Sequence, residues 1–325
     1  MDYIAPRWLP GGNLQTIWPA LYARRVDAPL PDYRRERWTA PDGDFIDVDF
    51  LDAGGDGPKP LLVLFHGLEG SSRSHYAEAF AAFARRRGWD YAVPHFRGCS
   101  GEINLAPRAY HSGDYEEIDW ILARLRGARP GAPMMAAGVS LGGNALLRWA
   151  EEAGDEASRR VGAVASVCAP LDLAAGGEAI GRGFNRLVYT RMFLSTMKPK
   201  ALAKLAQHPG LFDRDELLAA RDLYAFDNVF TAPLHGFRDT LDYWTRGSAK
   251  PRLHTIRVPT LVVNAANDPF VPAASLPHPD EVGPCVRLWQ PAQGGHVGFP
   301  CGLPPGHVRS MPEQVGGWLA ERSGL

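Results

Sequence analysis

Apolar residues occur along this chain in two alternating patterns. Continuous apolar runs at 61–65 and 134–139 are typical of strands that are buried on both faces of a parallel sheet. Other segments show helical spacing, as at 115–126, where Ile118, Ile121, Leu122 and Leu125 share one face. Strands and helices that alternate at this spacing predict βαβ units, and therefore an α/β fold whose mostly parallel central sheet is flanked by helices.

The predicted elements extend from residue 33 to residue 322. A hairpin is predicted over 33–50, with its turn at Pro41-Asp42-Gly43-Asp44. The other predicted strands are 61–65, 91–94, 134–139, 161–167, 260–264 and 286–289. Further helices are predicted at 76–89, 115–126, 141–152 and 312–322.

The alternation stops between residues 171 and 255. This stretch is mostly helical in pattern, is rich in arginine, lysine and aromatic residues, and contains no buried-strand run. We interpret it as a helical cap inserted into an α/β core that comprises residues 1–170 and 256–325.

Composition removes several classes of function. The chain has 325 residues and a formal net charge of -1, which gives no electrostatic reason to expect a nucleic-acid partner. Its four cysteines show no CxxC spacing and are expected to be reduced. The chain shows neither a secretory signal nor a run of ~18 apolar residues, so we expect a cytoplasmic protein without an integral membrane anchor.

The segment Gly138-Val139-Ser140-Leu141-Gly142 lies between a predicted buried strand and a predicted helix. A serine on such a tight turn needs glycine neighbours because the backbone approaches adjacent chain closely, and the turn lifts Oγ clear of the sheet. The start of the helix adds its positive dipole end beneath a developing oxyanion. Ser140 is therefore the candidate nucleophile.

A serine hydroxyl needs a general base, and the base needs an acid that orients it. Asp268 follows the predicted strand 260–264, at the sheet edge where active sites of parallel sheets collect. His296 follows the last strand and is preceded by two glycines. The order Ser140, Asp268, His296 is the order of a catalytic triad in this fold, whereas Asp280 and Glu281 are competing carboxylates in a Pro-rich loop.

The loop His66-Gly67-Leu68-Glu69-Gly70 directly follows the first long buried strand. We expect the amides of Leu68 and Leu141 to form the oxyanion hole, each contributing on the order of 3 kcal/mol. His66 is expected to brace this loop rather than to act as a base. Arg97, Cys99 and Ser100 follow another strand and are expected to stiffen a loop beside the pocket.

No metal or cofactor is expected. The remaining candidate ligands do not have the spacing of a metal site relative to one another or to acidic residues. These residues are His95, His111, His235 and His278.

Ordered motifs along nearly the whole chain resemble the YheT-like branch of the α/β-hydrolases, which includes plant embryogenesis-associated and mammalian abhydrolase-domain proteins. The matching motifs are Gly12-Asn13-Leu14-Gln15-Thr16, His66-Gly67-Leu68-Glu69-Gly70, Phe96-Arg97-Gly98-Cys99-Ser100-Gly101, Tyr110-His111-Ser112-Gly113, Gly138-Val139-Ser140-Leu141-Gly142-Gly143-Asn144, Thr231-Ala232-Pro233-Leu234-His235-Gly236-Phe237, Asn267-Asp268-Pro269-Phe270 and Gly294-Gly295-His296-Val297-Gly298-Phe299. The resemblance implies a triad of Ser140, His296 and Asp268 and esterase or lipase activity on acyl esters. Eukaryotic members of this branch carry an N-terminal membrane anchor. We expect none in this chain, and we therefore expect short- or medium-chain esters as its substrates.

These observations favour a cofactor-free carboxylic ester hydrolase with a small-molecule acyl ester as its substrate. An acyltransferase with the same triad and a non-catalytic binding protein of the same fold remain alternatives. A stripe on the cap, consisting of Leu187, Tyr189, Met192 and Phe193, is a candidate wall for the acyl chain. The oligomeric state and the physiological substrate stay open.

Overall fold

The computed structural model describes residues 2–24 and 29–325, which form one eight-stranded sheet with flanking helices. The strands are β1 (Arg34–Thr39), β2 (Phe45–Leu51), β3 (Leu61–Phe65), β4 (Asp90–Pro94), β5 (Met134–Val139), β6 (Ala163–Val167), β7 (Thr260–Val263) and β8 (Val286–Trp289). Their spatial order is β1-β2-β4-β3-β5-β6-β7-β8. Strand β2 is antiparallel to both of its neighbours, and the other neighbouring pairs are parallel. The predicted α/β fold class is confirmed.

Two apolar cores lie on opposite faces of the sheet. Side chains along a strand alternate between the faces, so Leu61, Val63 and Phe65 join one core while Leu62 and Leu64 join the other. Helices α3 (Tyr115–Ala128) and α4 (Leu141–Ala153) cover the first face, and α2 (His75–Arg87) and α13 (Ser310–Arg322) cover the second. A short helix, α5 (Ala157–Arg160), leads into β6.

The chain between β6 and β7 is helical, and we refer to it as the cap. Its helices are α6 (Leu173–Ile180), α7 (Gly183–Asn185), α8 (Arg191–Gln207), α9 (Arg214–Ala219), α10 (Leu223–Val229), α11 (Thr231–Leu234) and α12 (Thr240–Gly247). The cap has its own apolar cluster around Leu194, Leu217, Phe226 and Phe230, against which Leu68 of the core packs. The cap therefore lies over the loop that follows β3.

An N-terminal helix, α1 (Gly12–Leu21), is an element for which the sequence analysis made no prediction. Its apolar residues Leu14, Ile17, Trp18 and Leu21 have helical spacing, but Leu14 and Leu21 are exposed, and the residues that the helix buries are Gln15, Thr16 and Pro19. Helix α5 was not predicted either, and the other differences outside the cap lie at element ends. Helix α2, for example, ends at Arg87 because Gly88 adopts a left-handed conformation with φ of 66°.

None of the described helices is both long enough and apolar enough to cross a membrane.

Candidate active site

Ser140 occupies the turn between β5 and α4 with φ of 53° and ψ of -121°. A non-glycine residue in this conformation is strained and persists only where its surroundings hold it. The two flanking glycines allow the close contacts that do so. A Cβ at Gly142 would lie 2.4 Å from the carbonyl oxygen of His66, and one at Gly138 would lie 2.4 Å from that of Gly142. These close contacts leave no room for a side chain, which explains why glycine is required at both positions.

A chain of hydrogen bonds joins Ser140, His296 and Asp268. The Nε2 atom of His296 lies 3.0 Å from Ser140 Oγ, and its Nδ1 atom lies 2.8 Å from Asp268 Oδ2. Because a carboxylate only accepts, Nδ1 carries the proton and Nε2 is free to accept from the serine hydroxyl. The structure thus brings together the three side chains that the sequence singled out.

Helix α1 holds the loops that carry the acid and the histidine. Thr16 Oγ1 accepts a hydrogen bond of 2.8 Å from the backbone N–H of His296. Gln15 Oε1 accepts from Asn267 Nδ2 at 2.9 Å and from Gly294 N at 3.0 Å. Sequence reasoning missed this positioning role. The only available signal was the resemblance of the segment around Gln15 and Thr16 to a family motif.

Leu68 and Leu141, the expected oxyanion donors, both line the cavity onto which Ser140 opens. The loop after β3 is close to the nucleophile, since a Cβ at Gly67 would lie 3.1 Å from Ser140 Cβ. The two residues are therefore on the correct side of Ser140 for the role that the sequence assigns to their amides.

His66 uses both ring nitrogens to connect two loops. Its Nδ1 lies 2.8 Å from the carbonyl oxygen of Gly67, and its Nε2 accepts from Phe96 N at 3.0 Å. Complete burial, with a smaller contribution from nearby His95, lowers the pKa of His66 to about 3. The ring is neutral and braces the loop, as expected from the sequence.

A second brace on this loop was not anticipated from the sequence. Glu69 has a positive φ of 57°. The hydroxyl of Tyr110 accepts from Glu69 N at 3.0 Å and donates to Glu69 Oε1 at 2.9 Å. Lys200, on cap helix α8, places its Nζ 3.0 Å from the same carboxylate. The cap thus contributes a charged contact to the residue next to Leu68.

Arg97 stiffens the loop after β4, in agreement with the expectation. It is buried and donates to Asp44 at 2.7 Å and to Glu117 at 2.5 Å. The buried thiol of Cys99 lies 3.6 Å from Lys200 Nζ. Burial raises the pKa of Cys99 to about 11, so this thiol is protonated and not nucleophilic at neutral pH.

The cavity above Ser140 has a volume of about 160 Å³ and lies between the core and the cap. Its lining includes the apolar side chains Leu173, Ile180, Phe193, Met197, Phe226, Phe230 and Phe270. It also includes the charged side chains Glu69, Arg97, Lys200, Lys204 and Asp227. The expectation for the cap stripe was correct only for Phe193. Leu187 and Met192 are 65% and 51% exposed, and Tyr189 packs against Phe270 outside the lining. A helical stripe shows which residues share a face but not whether that face turns inward.

Cys168 lies behind the histidine and the acid. Its sulfur, the Asp268 carboxylate and the His296 ring are within 4.8 Å of one another, and this is the one such group of three ligand-type side chains among the described residues. The thiol accepts from Val297 N at 3.3 Å. Burial, and secondarily the charge of Asp268, raises the pKa of Cys168 well above its ordinary value, so the thiol is neutral. Because Asp268 Oδ2 and His296 Nδ1 already bond each other at 2.8 Å, two of the three candidate ligands have partners within the group.

The sequence of the chain matches a known protein family. Residues 60–300 match the model of the alpha/beta hydrolase fold. The chain therefore belongs to the α/β-hydrolase family.

Within that family, the chain is 40% identical to YheT of Escherichia coli (strain K12), a protein named for an expected esterase activity, over 92% of this chain and 87% of the relative. It is 31% identical to the phospholipase ABHD3 of Mus musculus over 85% of this chain and 69% of the relative. The predicted membership of the YheT-like branch is confirmed, and the chain is a hydrolase of this esterase-like and phospholipase-like group.

Solved structures support the fold assignment. An esterase of Pyrococcus furiosus, 16% identical to this chain, superposes with a TM-score of 0.52 over 92% of this chain and 96% of that one. At this level of identity the likeness concerns the fold alone.

Proposed function

We propose that this protein hydrolyses carboxylic esters through an acyl intermediate on Ser140. The observation that carries the proposal is the hydrogen-bonded chain from Ser140 Oγ through His296 to Asp268, with the serine held in the strained turn between β5 and α4. This is the arrangement in which a histidine removes a serine proton while a carboxylate holds the imidazole in one tautomer.

The reaction has two balanced steps. Ser140 Oγ attacks the ester carbonyl as its proton passes to His296 Nε2, and that proton then leaves with the alcohol when the C–O bond breaks. Water next attacks the acyl-serine, giving its proton to His296, which returns it to Ser140 as the carboxylic acid departs. Asp268 stabilises the imidazolium in both steps, and the amides of Leu68 and Leu141 hold the oxyanion.

The cavity supports a short- or medium-chain acyl ester as substrate. Most of the side chains that line the space of about 160 Å³ above Ser140 are apolar and come from both the cap and the core. The cap, which we delimit as residues 171–255, would bind the acyl chain, while the core residues 1–170 and 256–325 supply the reacting groups.

A fluorophosphonate probe and a series of p-nitrophenyl esters from acetate to palmitate test the proposal. Wild-type protein is expected to be labelled and to turn over the shorter esters, and Ser140→Ala is expected to do neither while keeping its stability. Ser166→Ala is the matched control, because Ser166 is a fully buried serine on neighbouring β6 whose hydroxyl has no hydrogen-bond partner among the described residues.

The outcomes separate the competing functions. Absence of labelling in folded wild-type protein would favour a non-catalytic binding protein. Labelling of Ser140→Ala would assign the nucleophile elsewhere. Turnover that produces a new ester in preference to free acid when an alcohol is added would identify an acyltransferase.

A further inference from the structure

The cap carries an unbalanced charge. Residues 179–212 contain six lysines and arginines and no aspartate or glutamate, in a chain whose formal net charge is -1. Helical structure is continuous from Gly183 to Gln207 through α7, a π-helical turn and α8. Of the six, Arg182 pairs with Glu178, Lys200 pairs with Glu69 and Lys204 is buried. Arg186, Arg191 and Lys198 are therefore the basic residues of this element that form no ion pair with a described residue.

Large apolar side chains are exposed on the same element. Phe184 and Met192 are each 51% exposed, and Leu187 is 65% exposed. They alternate with exposed Arg186 and Arg191. We call the surface formed by these five residues the outer cap face.

A shallow surface groove adjoins the outer cap face. Four of its lining residues are basic and none is acidic: Arg186, Arg191, Lys198 and Arg221. The three arginines form no ion pair with any residue that the structure describes. Many arginines elsewhere in the protein do pair with a carboxylate, among them Arg35, Arg37, Arg97, Arg108, Arg148 and Arg246. A groove with this lining is suited to an anion.

The mixture of exposed apolar and unpaired basic side chains identifies the kind of partner. A second copy of this chain in a two-fold contact would set arginine against arginine, because such a contact pairs a surface with itself. Nucleic acid would use the cations but not Phe184, Leu187 and Met192. An anionic lipid bilayer uses both, since apolar side chains enter the boundary between headgroups and acyl chains while arginines bind lipid phosphates.

A run of aromatic contacts connects this surface with the active site. Phe184 contacts Tyr189 with ring centroids 6.2 Å apart, and Tyr189 contacts Phe270 at 4.5 Å. The Phe270 ring in turn lies 4.1 Å from the ring of His296. Three successive ring contacts therefore span the distance from the outer cap face to the proposed catalytic base.

We propose that the outer cap face is a docking surface for anionic lipid bilayers, with the adjoining groove receiving the phosphate of a lipid headgroup. Docking there places the membrane beside the cap that covers Ser140. The adhesion itself requires no turnover, so it is separable from the proposed esterase activity.

Vesicle co-sedimentation tests the proposal directly. Full-length protein is expected to bind large unilamellar vesicles made of about 70% phosphatidylcholine and about 30% phosphatidylglycerol, because the phosphatidylglycerol gives the vesicle surface a negative potential. It is expected to bind pure phosphatidylcholine vesicles weakly, and to be released from the mixed vesicles at ~1 M salt, where screening acts within about 3 Å. Inorganic phosphate should release no more protein than sodium chloride of the same ionic strength, because a free phosphate offers nothing to the apolar residues of the outer cap face.

Two sets of variants locate the surface. Arg186→Glu with Arg191→Glu should weaken partitioning at least about 25-fold, since each arginine at such a surface contributes roughly five-fold. Leu187→Ser with Met192→Ser should also weaken it, through loss of insertion. Arg159→Glu with Arg322→Glu changes the net charge equally at exposed arginines outside the cap and should leave binding unchanged.

Ser140→Ala should bind vesicles as wild type does, and turnover of p-nitrophenyl butyrate should be equal in wild type and in the cap variants. Failure of the esterase proposal and failure of the docking proposal are therefore distinguishable. No binding to the mixed vesicles at low salt, or equal binding by the Arg186→Glu, Arg191→Glu variant, would overturn the docking proposal. Self-association that Leu187→Ser abolishes, without vesicle binding, would assign the face to a second copy of the chain.

Discussion

At the scale of single residues, Asp268 determines the tautomer of His296. Its Oδ2 accepts from Nδ1 at 2.8 Å, while its Oδ1 accepts from Phe270 N at 2.7 Å, so the carboxylate cannot rotate away. In Asp268→Asn the amide can present a donor to the imidazole and favour the wrong tautomer. We expect kcat to fall about 10⁴-fold with folding intact.

Steady-state kinetics on a p-nitrophenyl ester, with a thermal melt for folding, checks the Asp268→Asn prediction. Asp280→Asn is the control, because Asp280 is the exposed carboxylate that competed with Asp268 in the sequence. If Asp268→Asn retained nearly full turnover, a different carboxylate would orient the histidine.

Glu69 positions the loop that carries Leu68. Its carboxylate is fixed by Tyr110 and Lys200, and these contacts support its positive φ of 57°. Glu69→Ala removes both contacts, and the resulting displacement of the Leu68 amide should lower kcat by about ten- to a hundred-fold with a smaller change in KM. Glu69→Gln should recover most of the loss, because its amide oxygen still accepts from Tyr110. Equal loss in both variants would indicate that charge, rather than position, is what matters.

His66 should contribute to the pH dependence of stability. Its folded pKa of about 3 lies below the ordinary value near 6.5, so between these values the unfolded chain binds a proton that the folded chain does not. The free energy of unfolding therefore loses up to about 1.4 kcal/mol per pH unit from this group as the pH falls from 6 to 4. Urea denaturation across that range should show a slope shallower by about one proton in His66→Asn. An unchanged slope would mean that His66 is protonated in the folded protein.

At the scale of elements, α1 packs against the His296 loop so closely that no side chain fits between them. A Cβ at Gly298 would lie 1.7 Å from the carbonyl oxygen of Gln15. Gly298→Ala should therefore displace α1 or the loop, destabilise the protein by at least about 2 kcal/mol and reduce turnover. Differential scanning calorimetry and ester kinetics measure the two effects.

Gly317→Ala is the matched control for Gly298→Ala. Gly317 lies within α13, and a Cβ there would meet no atom within 4 Å. Alanine is the better helix former, so this change should stabilise the protein by roughly 0.5–1 kcal/mol and leave turnover unaltered. A similar response to both substitutions would remove the case for a steric clamp between α1 and the His296 loop.

Elements with an apolar buried side were predicted from the sequence, whereas α1, whose large apolar residues are exposed or half-buried, was missed. Strand β3 is an unbroken apolar run, and α3 repeats its apolar residues at helical intervals. The contacts of α1 with the active-site loops are instead polar, through Gln15 and Thr16, which hydrophobic periodicity does not register. The contact between Glu69 and Lys200 was missed because it is also polar and because its partners are 131 residues apart in the chain.

At the scale of the whole molecule, cap and core meet at a buried asparagine. Asn144, on α4 one turn after Ser140, donates to Gly247 O at 2.7 Å and to Ser112 O at 2.8 Å. Its Oδ1 accepts from Ala249 N at 3.1 Å. One side chain from the core thus satisfies backbone groups where the last cap helix returns to the sheet. Because the side chain is fully buried, water cannot replace these bonds.

Asn144→Leu keeps the side-chain volume but leaves those buried backbone groups without partners. We expect the free energy of unfolding to fall by more than about 3 kcal/mol, since each orphaned group contributes roughly 1–3 kcal/mol. The increase in hydrogen-exchange rate should be larger at Ala249 and in α12 than in β5, because the contact between cap and core opens before the core does. Glu216→Gln, at an exposed cap position whose side chain forms no hydrogen bond or ion pair among the described residues, should change stability by less than about 0.5 kcal/mol. A loss below about 1 kcal/mol in Asn144→Leu, with uniform exchange, would mean that the cap is held by its apolar contacts with the core, such as that of Leu68, and not by this network.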